Sequence, residues 1–305
     1  DPSTLPTSTG RSVAFSPDGS DIAVAHSSSP YITVYPWSSG FGSKYANPST
    51  LPTGTGYGVK FSPDGADIAV AHPNPPRITV YPWRSSGFGS KYADPSTLPT
   101  STGRSVAFSP DGSDIAVGHS NSPYISVYPW SSGFGSKYAN PSTLPAGAGY
   151  GVTFSPDGSD IAVAHTNSPR ISVYPWSSGF GSKYSDPSTL PTSTGRSVAF
   201  SPDGSDIAVA HSSSPYITVY PWSSGFGSKY ANPSTLPTGT GYGVKFSPDG
   251  ADIAVAHPNP PRITVYPWRS SGFGSKYADP STLPTSTGRS VAFSPDGSDI
   301  AVGHS

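Results

Sequence analysis

The hydrophobic positions of this chain recur in a fixed order every 46 or 47 residues. In the first copy, residues 12–16 (SVAFS) are β-branched and aromatic, and the turn residues PDG follow at 17–19. Residues Asp21–His26 (DIAVAH) then alternate, with isoleucine, valine and histidine on one side and two alanines on the other. The pattern predicts two strands joined by a tight hairpin, in a sheet whose faces are both packed but have unequal room.

Two further segments complete each copy. Residues 31–35 (YITVY) predict a third strand and residues 41–46 (FGSKYA) a weaker fourth, before the proline-rich link at 47–55. A single antiparallel meander of this size cannot bury both faces, whereas meanders stacked around an axis can. No helical periodicity appears. We therefore predict an all-β fold, a β-propeller of about seven four-stranded antiparallel blades, with the seventh incomplete in this chain.

The copies define one predicted domain, residues 1–305. Residues 1–120 recur unchanged as residues 186–305, so a block of four units is itself duplicated. Odd and even units differ consistently, and units 2 and 6 each contain one additional residue, Arg84 and Arg269. The predicted units are residues 1–46, 47–93, 94–139, 140–185, 186–231, 232–278 and the partial 279–305.

The run SVAFSPDGSDIAVAHSSSPYITVY at residues 12–35 is similar to the WD40 repeat and to related bacterial β-propeller tandem repeats. Its most specific element is SPDG between the first two strands. The resemblance implies a propeller fold. The chain departs from WD40 in having Tyr35-Pro36 where that family has Trp-Asp, and in lacking its Gly-His before the first strand. His26 stands where the family tends to have a small hydroxyl residue, so we hypothesise that His26 and Tyr35 replace the WD40 hydrogen-bonded network.

Charge and composition narrow the function classes. The 18 acidic residues, all Asp, nearly balance 17 basic ones, and charged residues are only 11 % of the chain, so no basic field exists to hold nucleic acid. Cysteine is absent, which excludes disulfides and thiolate sites. No apolar run reaches the length of a membrane span. We expect no cofactor.

Histidine and aspartate recur at fixed places. Seven histidines end the second strands, and a structural hydrogen-bonding role is favoured over metal binding because equivalent positions on different blades lie far apart. Asp18 is interpreted as a turn residue and Asp21 as a surface charge at the strand start. Identical repeats give identical environments, which argues against acid–base catalysis. The histidines are His26, His72, His119, His165, His211, His257 and His304.

All tryptophans of the chain precede a phenylalanine such as Phe41 by four or five residues, between the third and fourth strands. Exposed, they would form a flat stacking face for sugars or a protein; tucked in, they would anchor the Ser-Gly loop to the blade. The sequence leaves both possibilities open. The residues of this candidate binding face are Trp37, Trp83, Trp130, Trp176, Trp222, Trp268 and Phe41.

An Arg/Tyr exchange distinguishes odd from even units. Odd units have Arg11 before the first strand and Tyr31 before the third, and even units have Tyr57 and Arg77 instead. Both positions lie at one end of a meander, so we expect a cation–π pair within a blade or between neighbours, with chance drift as the alternative. An odd number of units would place two odd units side by side at one seam.

The seventh unit contains only its first two strands, and residues 1–9 read as a link. Its second strand therefore has an open edge, which can recruit another strand. We expect a homo-oligomer or polymer, or the continuation of a longer repeat array. The predicted assembly edge is Ile300, Ala301, Val302 and His304.

These features favour a non-enzymatic structural or interaction scaffold that self-assembles into a filament, surface or adhesive protein, in an extracellular or surface-associated location. The alternative is a lectin-like propeller that binds glycans at repeated sites. An enzyme would require one unit to depart from the others. No nucleic-acid partner is expected.

Overall fold

The computed structural model describes residues 2–305; Asp1, where the first predicted unit begins, lies outside them. Within the described residues all regular structure is β, and no helix is present. The strands form seven antiparallel sheets, one per predicted unit, in tandem along the chain. The fold class is therefore all-β, as predicted.

The strands are numbered in chain order, and sheets 1 to 7 take the number of their unit. Sheets 1 to 3 comprise β1 (Gly10–Phe15), β2 (Asp21–His26), β3 (Ile32–Pro36); β4 (Gly58–Phe61), β5 (Asp67–Ala71), β6 (Ile78–Arg84), β7 (Gly87–Phe88); and β8 (Gly103–Phe108), β9 (Asp114–His119), β10 (Ile125–Pro129). Sheets 4 and 5 comprise β11 (Gly149–Phe154), β12 (Asp160–His165), β13 (Ile171–Pro175); and β14 (Gly195–Phe200), β15 (Asp206–His211), β16 (Ile217–Pro221). Sheets 6 and 7 comprise β17 (Gly243–Phe246), β18 (Asp252–Ala256), β19 (Ile263–Arg269), β20 (Gly272–Phe273); and β21 (Gly288–Phe293), β22 (Ile300–His304).

The first hairpin of each unit forms where the sequence predicts it. In sheet 1, the Ser16 N–H donates to the Asp21 carbonyl over 2.9 Å, and the Gly19 N–H donates to the Ser16 carbonyl over 3.0 Å. Gly19 has φ of 74°, a conformation that glycine adopts without steric cost. The second strand has its predicted bounds, the first begins two residues earlier, and the third is displaced by one residue.

The prediction of a fourth strand at residues 41–46 was wrong. In sheet 1 this strand is reduced to one bridge between Trp37 and Phe41, followed by an irregular segment beside β3. The Tyr45 N–H donates to the Val34 carbonyl over 3.0 Å, so the segment stays close without a full ladder. Glycine, serine and lysine in this segment have low strand propensity. In units 2 and 6 the additional arginine lengthens the hairpin and allows a second pair, which makes β7 and β20 two-residue strands.

The hydrophobic core lies between neighbouring sheets. Ala23 and Ala25 of sheet 1 face sheet 2. Larger side chains of sheet 2, among them Ile68, Val70 and Tyr81, pack against them in one buried cluster. Equivalent clusters join each successive pair from sheet 1 to sheet 5 and sheets 5 and 6. The unequal faces predicted from the alanine alternation are therefore confirmed, because small residues of one sheet accept large residues of the next.

Sheet 7 packs on two neighbours although it has only two strands. On one face Val302 joins a cluster with Ile263 of sheet 6, and on the other Ala292 joins a cluster with Val13 and Ile22 of sheet 1. The first strands contact one another in the order β1, β4, β8, β11, β14, β17, β21, and β21 also contacts β1. Residues 2–9 contribute no strand to sheet 7, as expected from their sequence. The tandem sheets are consistent with a β-propeller.

Candidate functional site

A cavity of about 440 Å³ lies among the first strands, and residues from all seven sheets line it. This volume falls in the range of small-molecule sites in proteins. The walls are mainly phenylalanine, proline and alanine together with serines from the first turn. Most of the cavity wall is therefore uncharged.

Two lysines break the apolar character of this wall. Lys60 of β4 and Lys245 of β17 line the cavity, at a position where odd sheets have alanine, such as Ala14, and sheet 4 has Thr153. No carboxylate or histidine is among the lining residues. The Lys245 charge, with burial as the second cause, lowers the pKa of Lys60 well below its ordinary value. Burial lowers the pKa of Lys245 as well. The Lys245 charge thus acts on the Lys60 amine within this cavity.

Arginine and tyrosine alternate from one sheet to the next at the start of the first strands. This is the end of the strand that lies away from the first turn. Each tyrosine ring of this belt lies between arginines of the two neighbouring sheets, with guanidinium-to-centroid distances from 4.9 to 5.8 Å. Cation–π pairs between neighbouring sheets therefore form, but not the predicted pairs between first-strand and third-strand positions. The pairs that form join first-strand positions only, and Tyr31 and Arg77 take no part in them. The belt residues are Arg11, Tyr57, Arg104, Tyr150, Arg196, Tyr242 and Arg289.

The belt is interrupted where sheet 7 meets sheet 1. Arg289 and Arg11 both come from odd units and have no tyrosine between them. Burial and then the Arg289 charge lower the pKa of Arg11. The seam that an odd number of units implies is therefore present, and it concentrates positive charge at one point of the belt.

The tryptophans do not form an exposed stacking face. Trp83 is 6 % exposed, and its indole N–H donates to Oδ2 of Asp21 in the preceding sheet over 2.9 Å. The Tyr45 hydroxyl donates to the other oxygen of that carboxylate, also over 2.9 Å. Trp130, Trp176, Trp222 and Trp268 are equally buried and make equivalent bonds. Trp37 is half-buried and donates to Asp299.

This junction also corrects the interpretation of the second aspartate. Asp21 was predicted to be a surface charge, yet it is 5 % exposed and serves as the acceptor that holds the next sheet. Asp18 is the turn residue that was predicted: the Ser20 N–H donates to its carboxylate over 3.0 Å. The two aspartates therefore have unlike environments, and the buried one is committed to two donors.

The histidines have the predicted structural role. Six of the seven are fully buried, and their Nε2 atoms lie 2.8 to 3.1 Å from a threonine or serine hydroxyl of the third strand. Burial lowers the pKa of His72 to about 4, and the same value holds for His119, His165, His211 and His257. Residues 2–305 contain no group of three side chains placed to hold a metal ion.

His26 and Tyr35 were hypothesised to replace the WD40 hydrogen-bonded network. They do not bond each other, and each makes its own hydrogen bonds. His26 bonds Thr33, and its Nδ1 lies 3.4 Å from the hydroxyl of Thr7 in the preceding link. The Tyr35 hydroxyl donates to the Thr4 carbonyl of that link over 2.7 Å. Both side chains therefore fasten the link to the sheet.

The predicted assembly edge lies on β22, which pairs only with β21 among the described strands. Ile300 is 41 % exposed, whereas the equivalent Ile22 is 1 % exposed. Ala301, Val302 and His304 are half-buried.

Comparison with known proteins supports the fold and not a function. No family model matches the chain, and no curated protein does. Among solved structures, the chain is similar to hydrazine synthase of Kuenenia stuttgartiensis, with a TM-score of 0.75, 16 % identity, and coverage of 100 % of this chain and 97 % of that one. At this identity the likeness shows a common fold of repeated antiparallel sheets. In residues 2–305, no helix has the length and hydropathy to cross a membrane.

Sequence reasoning missed the cavity lysines. The signal was present, because the first strands read VAF in odd units and VKF or VTF in even ones. That exchange gains meaning only when the strands are brought around one cavity.

Proposed function

We propose that this protein is a non-enzymatic interaction scaffold: a ring of seven propeller blades that displays near-identical surfaces in a fixed arrangement. The observation that supports this most directly is the junction in which a buried aspartate of one sheet holds the tryptophan of the next, as Asp160 holds Trp222 over 2.9 Å. It recurs from sheet to sheet and fixes each unit relative to its neighbours. Such a frame suits multivalent presentation.

The histidines and aspartates that an enzyme could use are already engaged. His211 is fully buried beside Thr218, with its pKa lowered by burial to about 4, which leaves it neutral and enclosed at physiological pH. Asp203 accepts bonds within its own turn, and Asp206 accepts from Trp268 and Tyr230. These commitments support a scaffold over a catalyst.

We further propose that the scaffold self-assembles through the free edge of β22, with a second copy of this chain as the partner. An exposed apolar strand edge is a template for strand addition. The β22 sequence, IAVGH, is also the sequence of residues 115–119 in β9, which pairs with β10 inside its own sheet. Antiparallel pairing of β22 with its copy would join two half sheets into one of four strands.

The test is the mass of the purified chain by light scattering over a wide concentration range. We expect a concentration-dependent oligomer, and we expect Ile300→Lys to yield a monomer because a charge on an edge strand opposes pairing. Ile300→Val is the matched control and should assemble like the parent chain. A monomer at all concentrations, or assembly that Ile300→Lys leaves unchanged, would rule out this edge as the contact.

The predictions on location, repeat family and glycan binding have fewer supporting observations. A surface-associated or extracellular location fits the low charge and absent thiols, and membership among WD40-like repeats rests on the SPDG turn. The glycan-binding alternative depended on exposed tryptophans, and the burial of five of the six removes its main support.

A further inference from the structure

Lys60 and Lys245 are the features of the chain that neither folding nor the scaffold function explains. Both come from units of identical sequence, and the first strands between them are β8, β11 and β14 on one side and β21 and β1 on the other. They therefore project from nearly opposite walls of the same cavity. Alanine or threonine occupies the equivalent place in the other sheets, so a lysine is not required to build a first strand.

The two amines lack compensation. No salt bridge joins either lysine to a carboxylate in the described residues, and the cavity wall supplies none. Two like charges that line one cavity repel each other, and a bound anion would attract both. The lowered pKa of Lys60, for which the Lys245 charge is the first cause, is what such an uncompensated pair produces.

The wall determines what kind of anion fits. Phe15, Phe61, Phe108 and their equivalents supply apolar surface, and Thr153 adds a hydroxyl group. The volume of about 440 Å³ exceeds that of a bare phosphate and leaves room for an organic body.

We propose that the cavity binds one small organic dianion, with a phosphate or paired carboxylates held between Lys60 and Lys245 and an apolar portion against the phenylalanine wall. The site lies at the centre of the sheets, away from the β22 edge, and does not depend on self-assembly.

The experiment is calorimetric titration of the full chain with phenyl phosphate, and separately with inorganic phosphate. We expect saturable binding at one site per chain, with phenyl phosphate bound more tightly because its ring contacts the apolar wall. Lys60→Thr and Lys245→Thr should each weaken binding about tenfold or more, the usual effect of losing a charged hydrogen bond. Threonine is the residue that sheet 4 already has at this position, so both variants should fold.

The matched control removes two charges outside the cavity. Lys44→Thr with Lys229→Thr takes them from the irregular segments that follow β3 and β16, where each lysine bonds a nearby asparagine. That variant should bind phenyl phosphate like the parent chain. Absence of saturable binding by the parent, or equal weakening in the control and in the cavity variants, would overturn the proposal. Equal affinity for the two phosphates would overturn the apolar part of it.

Discussion

The indole N–H of Trp83 donates to Oδ2 of Asp21 across the boundary between the first two sheets, over 2.9 Å. Because the Tyr45 hydroxyl fills the other oxygen, this buried carboxylate receives one donor from its own unit and one from the next. A buried charge without such partners would be costly. Hydrophobic packing between the sheets is not directional, so these two hydrogen bonds fix the position of one sheet relative to the next.

Weakening one such junction should lower stability measurably. In Asp160→Asn the new amide group faces either Trp222 or Tyr184, each a donor at 2.9 Å, so one buried donor loses its acceptor. We expect the free energy of unfolding to fall by about 1 to 3 kcal/mol in urea titrations. Asp157→Asn, in the exposed turn of the same unit, is the control and should cost less. Equal effects would show that the buried bonds are not what matters.

One unit lacks a hydrogen bond that its relatives have. Nδ1 of His165 is buried without a partner because Ala146 stands where Thr192 approaches His211 in the next unit. We expect Ala146→Thr to raise the free energy of unfolding by about 0.5 to 1.5 kcal/mol. The converse change, Thr192→Ala, should lower it by a similar amount. If both changes act in the same direction, the threonine–histidine bond is not the cause.

A belt arginine that lies between two tyrosine rings should contribute more to the free energy of unfolding than one that contacts a single ring. Arg104 lies 5.0 and 5.1 Å from two tyrosine rings, whereas Arg11 contacts Tyr57 alone and faces the like charge of Arg289. We expect Arg104→Ala to destabilise the chain by about 0.5 to 1 kcal/mol more than Arg11→Ala, the usual value of one exposed cation–π pair. The local sequences are the same, so they serve as controls for each other. Identical losses would contradict an energetic role for the belt.

Acid should unfold the protein before most of its aspartates protonate. A histidine with a pKa of about 4 when folded, such as His119, and about 6.5 when unfolded binds fewer protons in the folded state. The free energy of unfolding therefore rises with pH across that window and falls on acidification, by about 3 kcal/mol per histidine at the lower end. Five such histidines together would contribute about 15 kcal/mol, as much as the whole stability of a typical domain, about 5 to 15 kcal/mol.

The measurement is tryptophan fluorescence against pH. We expect a cooperative transition between pH 6.5 and 4, moved to lower pH by His119→Gln, which cannot titrate. Asp18 and its equivalents have pKa values lowered by hydrogen bonds from Ser16 and its counterparts, so their contribution is lost only at more acidic pH. A chain that stays folded well below pH 4 would contradict this account.

Much of the fold was predictable because each repeat carries its own local signals. The SPDG turn specified the first hairpin, and the alternation in Asp21–His26 specified a strand packed on both faces. Residues 41–46 were predicted less well: a strand with few β-formers depends on the hairpin that presents it, and that hairpin is long enough only where Arg84 or Arg269 is present.

Less of the candidate site was predictable from the sequence. The sequence showed the Arg/Tyr exchange, and the structure made it a belt. It showed tryptophans at constant spacing without revealing that Asp21, taken for a surface charge, was the acceptor for one of them, since the two residues lie in different units.

The sequence by itself determined the repeat, the all-β class and the first two hairpin strands, and it favoured a structural role for the histidines, because these depend on residues within one unit. Only the tertiary structure decided that five of the six tryptophans are buried and that Lys60 and Lys245 share a cavity. Those relationships join residues of different sheets, and their energies come from partners that no local pattern contains.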